Sequence, residues 1–267
     1  MTDLFHSEHQ IDHERRFGGL RRLYGTAAFE RFQAAHVCVV GIGGVGSWTA
    51  EALARSAIGR LTFIDPDHLA ESNINRQVHA LTHELGRAKV QAMTARIRGI
   101  NPRCRTAGVE EFLTAENAAE LMSGGYDYVV DAIDSTHAKT ALIAHCRRHK
   151  VRLVCVGGAG GRTDPSRVRL DDLARSAGDP LLAKVRARLR RDHGFPREPK
   201  KKFGVECVYS AEPLIYPQAE GGVCYERPED AHVHGLNCAG FGSSACVTAA
   251  FGMLAAARVL NGLAASA

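Results

Sequence analysis

Gly41, Gly43, Gly44 and Gly46 lie in the run GIGGVG, which fits G-x-G-x-x-G. The run follows a short β-branched segment, 36–41, and opens a stretch of small and apolar residues, 45–57, suited to a packed helix. A strand–turn–helix setting of this kind binds the phosphates of a nucleotide. Gly41 allows the tight turn, Gly43 lets the backbone approach a phosphate, and Gly46 allows close helix–strand packing. Free amides at the helix start then face the anion. Asp65 and Asp67 end the next apolar run, with Asp65 19 residues beyond Gly46. A carboxylate at that position accepts hydrogen bonds from ribose hydroxyls. Asp67 is either a second nucleotide-binding carboxylate or a turn residue.

Up to this point NAD would serve as well as ATP. The residues that follow do not suit NAD. Asn73, Arg76 and Gln77 stand in SNINRQ, Lys89 follows on a helix, and Asp134 closes YVVDAID. A dehydrogenase needs no Arg and Lys for a triphosphate and no carboxylate for magnesium. An adenylating enzyme needs both: cations offset charge developing on the phosphates, and a hard carboxylate holds the metal.

These residues must be carried by regular elements. Strand-like runs are expected at 36–41, 61–65, 104–109, 128–132 and 151–156. Helices are expected at 45–57, 85–100, 115–122 and 137–149, with Asn101-Pro102 stopping the second. Strands alternating with helices imply parallel βαβ crossovers and an α/β, Rossmann-like, doubly wound sheet. Beyond residue 157 the pattern is less regular. GGAGG at 157–161 interrupts it, a basic helix is expected at 179–193, and a strand at 203–209. A Gly/Pro-rich loop at 217–237 precedes a long small-residue helix at 240–260. The expected organisation is one domain over 1–267, with a nucleotide-binding half, 1–156, and a substrate-binding and dimerisation half, 157–267.

The 267 residues are 45% apolar and 24% charged, which excludes wholesale disorder, collagen and a polytopic membrane protein. The first thirty residues are charged and lack an apolar h-region, which argues against a secretory signal. None of the eight cysteines forms a Cys-x-x-Cys pair, so the usual zinc ribbon is absent. Reduced thiols in a cytoplasmic protein are the simplest reading. Residues 236–257 carry no charge, and their length would span a membrane. Ala, Gly, Ser and Thr dominate there, so a helix buried against the sheet is expected instead, with no membrane partner.

The net charge of +5 is unevenly distributed. Residues 184–202 hold nine lysines and arginines against Asp192 and Glu198, a local +7, so the remainder of the chain sums to −2. Leu182, Val185 and Leu189 give this helix a narrow apolar face, with cations on the rest. Such a stretch is either a solvated helix or a polyanion footprint, most simply for RNA.

The ordered set VVGIGGVGS, IDPD, SNINRQ, RAKV and DAID resembles the ThiF/MoeB/HesA superfamily of ATP-dependent activating enzymes, which includes the ubiquitin-activating enzymes. The resemblance implies a ThiF-type activating domain that adenylates or phosphorylates a carboxylate. It implies that Asp65 holds the ribose, that Asn73, Arg76 and Lys89 contact the phosphates, and that Asp134 ligates Mg2+. It also implies a homodimer, in which an N-terminal arginine, best matched by Arg16 in ERRFGG, reaches the partner's ATP. Members acting on ubiquitin-like sulfur carriers commonly have two Cys-x-x-Cys pairs, absent here. RFGG, RLYG, NINRQVHAL, VGGAGG, the basic segment, CVYSAEPLIYPQ and GFGSSACVTAAFG resemble the tRNA threonylcarbamoyladenosine dehydratases more closely. That implies ATP activation of a threonyl carboxylate on tRNA, then ring closure by the neighbouring carbamoyl nitrogen. It further implies links to a cysteine-desulfurase sulfur relay, and a 157–161 backbone open to substrate or a monovalent cation. Cys207 is read either as a packed thiol or as an acyl acceptor on a strand edging the cleft. The rival readings are a sulfur-carrier adenylyltransferase, an NAD-dependent dehydrogenase and a non-catalytic RNA-binding module.

Overall fold

The computed structural model describes residues 11–198, 201–218, 221–226 and 241–266. Lys200, Cys238, residues 1–10, and 227–240 of the expected loop and helix start lie outside them. In chain order the elements are α1 (His13–Tyr24), α2 (Thr26–Ala34), β1 (His36–Val40), α3 (Gly44–Arg55), β2 (Arg60–Ile64), α4 (Lys89–Ile100) and β3 (Arg105–Val109). Then come α5 (Ala118–Leu121), β4 (Tyr128–Asp131), α6 (Thr136–Arg148), β5 (Leu153–Val156), β6 (Val168–Asp172) and α7 (Pro180–Asp192). The last are β7 (Glu206–Ser210), β8 (Tyr216–Pro217), β9 (Val223–Cys224) and α8 (Ala245–Ala264).

One seven-stranded sheet runs in the order β3-β2-β1-β4-β5-β7-β6. All its pairs are parallel except β6–β7. The doubly wound α/β expectation therefore holds. Strand order reverses between β1 and β4, and the carboxyl ends of such a switch point leave a crevice for ligands.

Both faces of the inner strands β2, β1, β4, β5 and β7 are covered, so these read as mostly buried runs, while the edge strands β3 and β6 are half-buried to exposed. The strand period of two sends Val37 and Val39 to one face and Cys38 and Val40 to the other. The first face packs on α2, α3, α4 and α8, the second on α5, α6 and α7. The long C-terminal helix lies along α3. A Cβ at Gly252 would sit 2.7 Å from the Val45 carbonyl oxygen, which shows why small residues dominate it. Among the described residues α8 alone is long and apolar enough to cross a membrane. Its apolar face belongs to the molecule's own core, as expected.

Three expectations need correction. α4 starts at Lys89, not at 85, because Gly86 takes a φ of +81° and His68 bridges to Ala88. α8 starts at Ala245, not at 240, because Phe241 turns aside to pack on Gly160 and Gly161. Two N-terminal helices, α1 and α2, and the antiparallel edge strand β6 were not foreseen. α1 and α2 are rich in charge, and their apolar faces rest on few residues, Phe17 on α1 and Phe29 and Phe32 on α2; β6, VRLDD, is a mostly polar, half-buried to exposed edge.

Candidate active site

A cleft of about 750 Å³ opens at the switch point. Gly41, Gly43, Gly44, Asp65, Asp67, Asn73, Arg76, Gln77, Lys89 and Asp134 all line it. The glycines divide as expected. Gly41 has a φ of +87°, and a Cβ there would lie 2.8 Å from the Ala132 carbonyl oxygen. A Cβ at Gly43 would meet nothing within 4 Å, so the protein leaves room for a ligand there. Gly46 does not line the cleft; a Cβ on it would collide with the Gly41 carbonyl oxygen. Its place in the motif is close packing of α3 onto β1, not nucleotide contact.

Asp65 directly follows β2 and is buried. Its Oδ2 accepts from the Ile42 amide at 2.6 Å and its Oδ1 from the Asp67 amide at 2.9 Å. Burial pushes the Asp65 carboxyl above its ordinary range, opposed by Lys89 and by these two amides. Lys89, first residue of α4, donates to Asp67 Oδ2 at 2.7 Å and stands 3.7 Å from Asp65 Oδ1. Asp67 is thus more than a turn residue: it holds a buried lysine. Arg76 is pinned through its carbonyl oxygen, which accepts from Trp48 Nε1 at 3.0 Å and Thr248 Oγ1 at 3.3 Å. Its guanidinium donates to the Ser72 carbonyl oxygen and to Asn75 Oδ1. Asn73 is buried and its Oδ1 accepts from the Ala70 amide, which closes the turn carrying SNINRQ. Gln77 is buried with its Oε1 unpartnered among the described residues.

Asp134 stands exposed on the wall formed after β4. The turn presenting it rests on Asp131 and Lys139, both side chains fully buried and 2.8 Å apart. Asp131 Oδ1 also accepts from the Ile133 amide at 3.1 Å. Burial raises the Asp131 carboxyl, and Lys139 opposes the rise.

The opposite wall comes from beyond residue 157. Asp179, whose side chain is 1% exposed, caps α7 by accepting from the Leu182 amide at 3.0 Å. Its other oxygen accepts from the Gly158 amide at 2.8 Å. A Cβ at Gly157 would collide with that oxygen, and one at Gly161 (φ +70°) would lie 2.9 Å from Phe241 Cδ1. Arg162 lines the same wall, buried, with donors on the carbonyl oxygens of Ser210 and Gly178. Sequence reasoning missed Asp179 and Arg162 as cleft residues. An Asp-Pro pair before a helix was the available signal, since it marks an N-cap and first-turn proline.

Two residues lie elsewhere. Arg16 does not line this chain's cleft; its Nη1 donates to the Ile100 carbonyl oxygen at 2.9 Å. Cys207 is fully buried on β7, between β5 and β6, and does not edge the cleft. Burial and neighbouring Cys155 raise its thiol well above the ordinary range. It is a packed thiol.

α7 buries Leu182, Val185 and Leu189 as its periodicity requires. Not every cation on it faces solvent freely. Arg186 donates to Ser176 Oγ and Arg190 to the Pro196 carbonyl oxygen. Arg188 Nη2 meets His137 Nε2 at 2.7 Å, and His137 lines the cleft. The basic helix and the cleft rim are therefore in contact.

The ThiF family pattern matches residues 18–265. The chain belongs to the ThiF family. It is 52% identical over 247 residues to the tRNA threonylcarbamoyladenosine dehydratase of Escherichia coli (strain K12), covering 92% of each chain. It is 46% identical to the enzyme of the same name from Haemophilus influenzae (strain ATCC 51907 / DSM 11121 / KW20 / Rd), covering 94% of each. Among solved structures, the E. coli enzyme TcdA in complex with ATP superposes with a TM-score of 0.84 at 49% identity, over 94% of both chains. The ThiF fold seen there is the Rossmann-like sheet described above.

Proposed function

We propose that this chain is an ATP-dependent dehydratase that converts threonylcarbamoyladenosine in tRNA to its cyclic form. The observation that carries this reading is 52% identity over 92% of both chains to a dehydratase of that name. The cleft supports it by joining a phosphate-binding loop to a buried Lys89, an Arg76 and an exposed carboxylate.

In this reading the amides at the start of α3 and the open face of Gly43 bind phosphates, with Gly44 beside them on the cleft wall. Asp65 accepts from the ribose, Lys89 and Arg76 contact the phosphates, and Asn73 and Gln77 shape the floor beneath them. The threonyl carboxylate attacks a phosphorus of ATP and forms a mixed anhydride, releasing pyrophosphate if the α-phosphorus is attacked or ADP if the γ-phosphorus is. The carbamoyl nitrogen then attacks the acyl carbon, loses its proton and closes the ring as the nucleotide or phosphate departs with the oxygen. The sum is ATP cleavage with loss of water from the nucleoside. The chain's own part is orientation and water exclusion, with no acyl group on a cysteine.

Asp134 fits a magnesium site. It is an exposed carboxylate on the cleft wall, and Mg2+ takes one or two carboxylates with phosphates and water completing its shell. When bound, the ion would offset phosphate charge. The same reading carries a homodimer in which Arg16 serves the partner's cleft, a cytoplasmic location, and a cysteine-desulfurase relay as a protein partner. It assigns 1–156 to nucleotide binding, and 157–267 to substrate and dimer contacts plus one cleft wall.

The test is direct. Incubate the protein with ATP, magnesium and modified tRNA, digest, and weigh the nucleosides. Loss of one water from threonylcarbamoyladenosine is expected. ATP consumption with a C-terminal Gly-Gly carrier protein in place of tRNA would overturn the reading.

A further inference from the structure

A second cavity, of about 420 Å³, lies at the amino ends of β2 and β3, the opposite end of the strands from the cleft. His13, Gln33, Arg60, Asn101, Arg103 and Arg105 supply its polar lining, and that lining holds no carboxylate. Arg60 and Arg105 are register partners in the β2–β3 ladder, so their side chains leave the sheet side by side. Like charges placed directly opposite in a ladder are destabilising. None of the three arginines makes a salt bridge among the described residues. The nearby acids are engaged elsewhere: Glu14 pairs with Arg21, and Asp127 accepts from the His36 amide.

A second observation is independent of charge. Asn101 is 1% exposed, lines the cavity, and its Oδ1 has no partner among the described residues. Its Nδ2 already donates to the Ile58 carbonyl oxygen at 3.3 Å. A buried acceptor left unpaired carries the full desolvation penalty of that group. A ligand that both carries phosphate and offers a hydroxyl would satisfy the arginines and Asn101 together. Burial, Arg103, Arg21 and Arg16 hold the His13 imidazole below its ordinary range, which reports the same positive field.

We infer that this cavity binds a ribose phosphate of the RNA backbone, with Arg60, Arg103 and Arg105 on phosphate and Asn101 accepting from a sugar hydroxyl. The inference rests on the proposed RNA substrate. It places a backbone contact far from the reacting nucleoside, where phosphate contacts set orientation instead of reading bases.

The experiment compares the wild-type chain with Arg60→Gln/Arg105→Gln, using a labelled unmodified RNA oligonucleotide over a series of salt concentrations. Each lost phosphate contact removes roughly 0.7–0.9 from the slope of log affinity against log salt. Two lost contacts should flatten the slope by roughly 1.4–1.8 and weaken binding roughly thirtyfold at 0.1 M salt. ATP affinity should not change, and the melting temperature should stay level or rise as like charges are removed. Unchanged RNA affinity and slope would overturn the inference, as would no RNA binding by the wild type. A lowered melting temperature would show the arginines to be structural and also overturn it. Inorganic phosphate, tested alone, separates the sources. If it stabilises only the wild type while the RNA slopes coincide, the site takes free anions and the RNA assignment fails. Wild-type dehydration of modified tRNA is read separately by nucleoside mass. Its absence would sink the enzymatic reading without touching the slope comparison.

Discussion

Asp65 and Asp134 are carboxylates of the same cleft in opposite settings. Asp65 is buried and fixed by one amide on each oxygen, with acceptor capacity left over; Asp134 is exposed and unpartnered among the described residues. The first suits a fixed hydrogen-bond acceptor, the second a metal-bearing or charge-stabilising role. Asp134→Ala should therefore leave ATP affinity within a few-fold while lowering turnover by about 10²–10³, the usual cost of one such electrostatic contact. Equilibrium ATP binding beside single-turnover rates checks it, and wild-type turnover would reject the assignment. His79, 2% exposed and close to Lys89 and Arg96, makes a different prediction. Burial first, then the two cations, lowers its imidazole to about 3. In the unfolded chain it takes up a proton near pH 6.5, so the unfolded state binds more protons between these values. Stability must fall as pH falls below about 6.5. From pH 7 to 5 the loss from His79 is about 2 kcal/mol. The raised carboxyls of Asp65 and Asp131 act with the opposite sign, so total stability is not the measurement. The difference between wild-type and His79→Gln unfolding free energies across pH 5–7 isolates the histidine, and a flat difference would refute the claim.

At the level of elements, α7 ties the basic segment to the nucleotide cleft. Asp179 caps it and also anchors the Gly158 amide in the cleft wall, while Arg188 touches His137 on the rim. A charge reversal at Arg188 would therefore disturb the cleft rim as well as the basic face. Lys184, Arg197 and Lys201 are exposed and give a cleaner test. Reversing these three to Glu should weaken tRNA binding and flatten its salt dependence by roughly 2 or more, with ATP affinity unchanged. The helix should survive, because Leu182, Val185 and Leu189 remain buried. Filter binding at several salt concentrations, with circular dichroism, decides the matter. Identical slopes would reduce the segment to a solvated face.

For the whole molecule, the position of Arg16 is the informative fact. It lies away from its own chain's cleft and donates to the end of α4. If it serves a neighbouring cleft, an assembly of two chains carries two composite sites. Arg16→Ala and Asp134→Ala, each inactive alone, should then regain activity on mixing, at up to about a quarter of the wild-type level per site if subunits exchange at random. Turnover of the mixture, with light scattering at the same concentration, checks this. No recovery from a mixture shown to exchange subunits would refute the composite site.

The local spacing of the chain was enough to determine its nucleotide loop, its parallel βαβ pattern and the face alternation of β1. Each depends on residues adjacent in sequence, where φ/ψ limits and a period of two or 3.6 act directly. GIGGVG could only turn tightly and start a helix, and the structure brings Asp65, Arg76, Lys89 and Asp134 to that turn. Tertiary structure decided what contiguous spacing cannot carry. Cys207 became a core thiol because β6 added itself outside β7. Asp179 and Arg162 entered the cleft because β7 follows β5 in the sheet and delivers the second wall to the switch point. Arg60 and Arg105, 45 positions apart, became neighbours only through the β2–β3 register. In each case strand order, set by long-range packing of both sheet faces, chose which distant residues would meet.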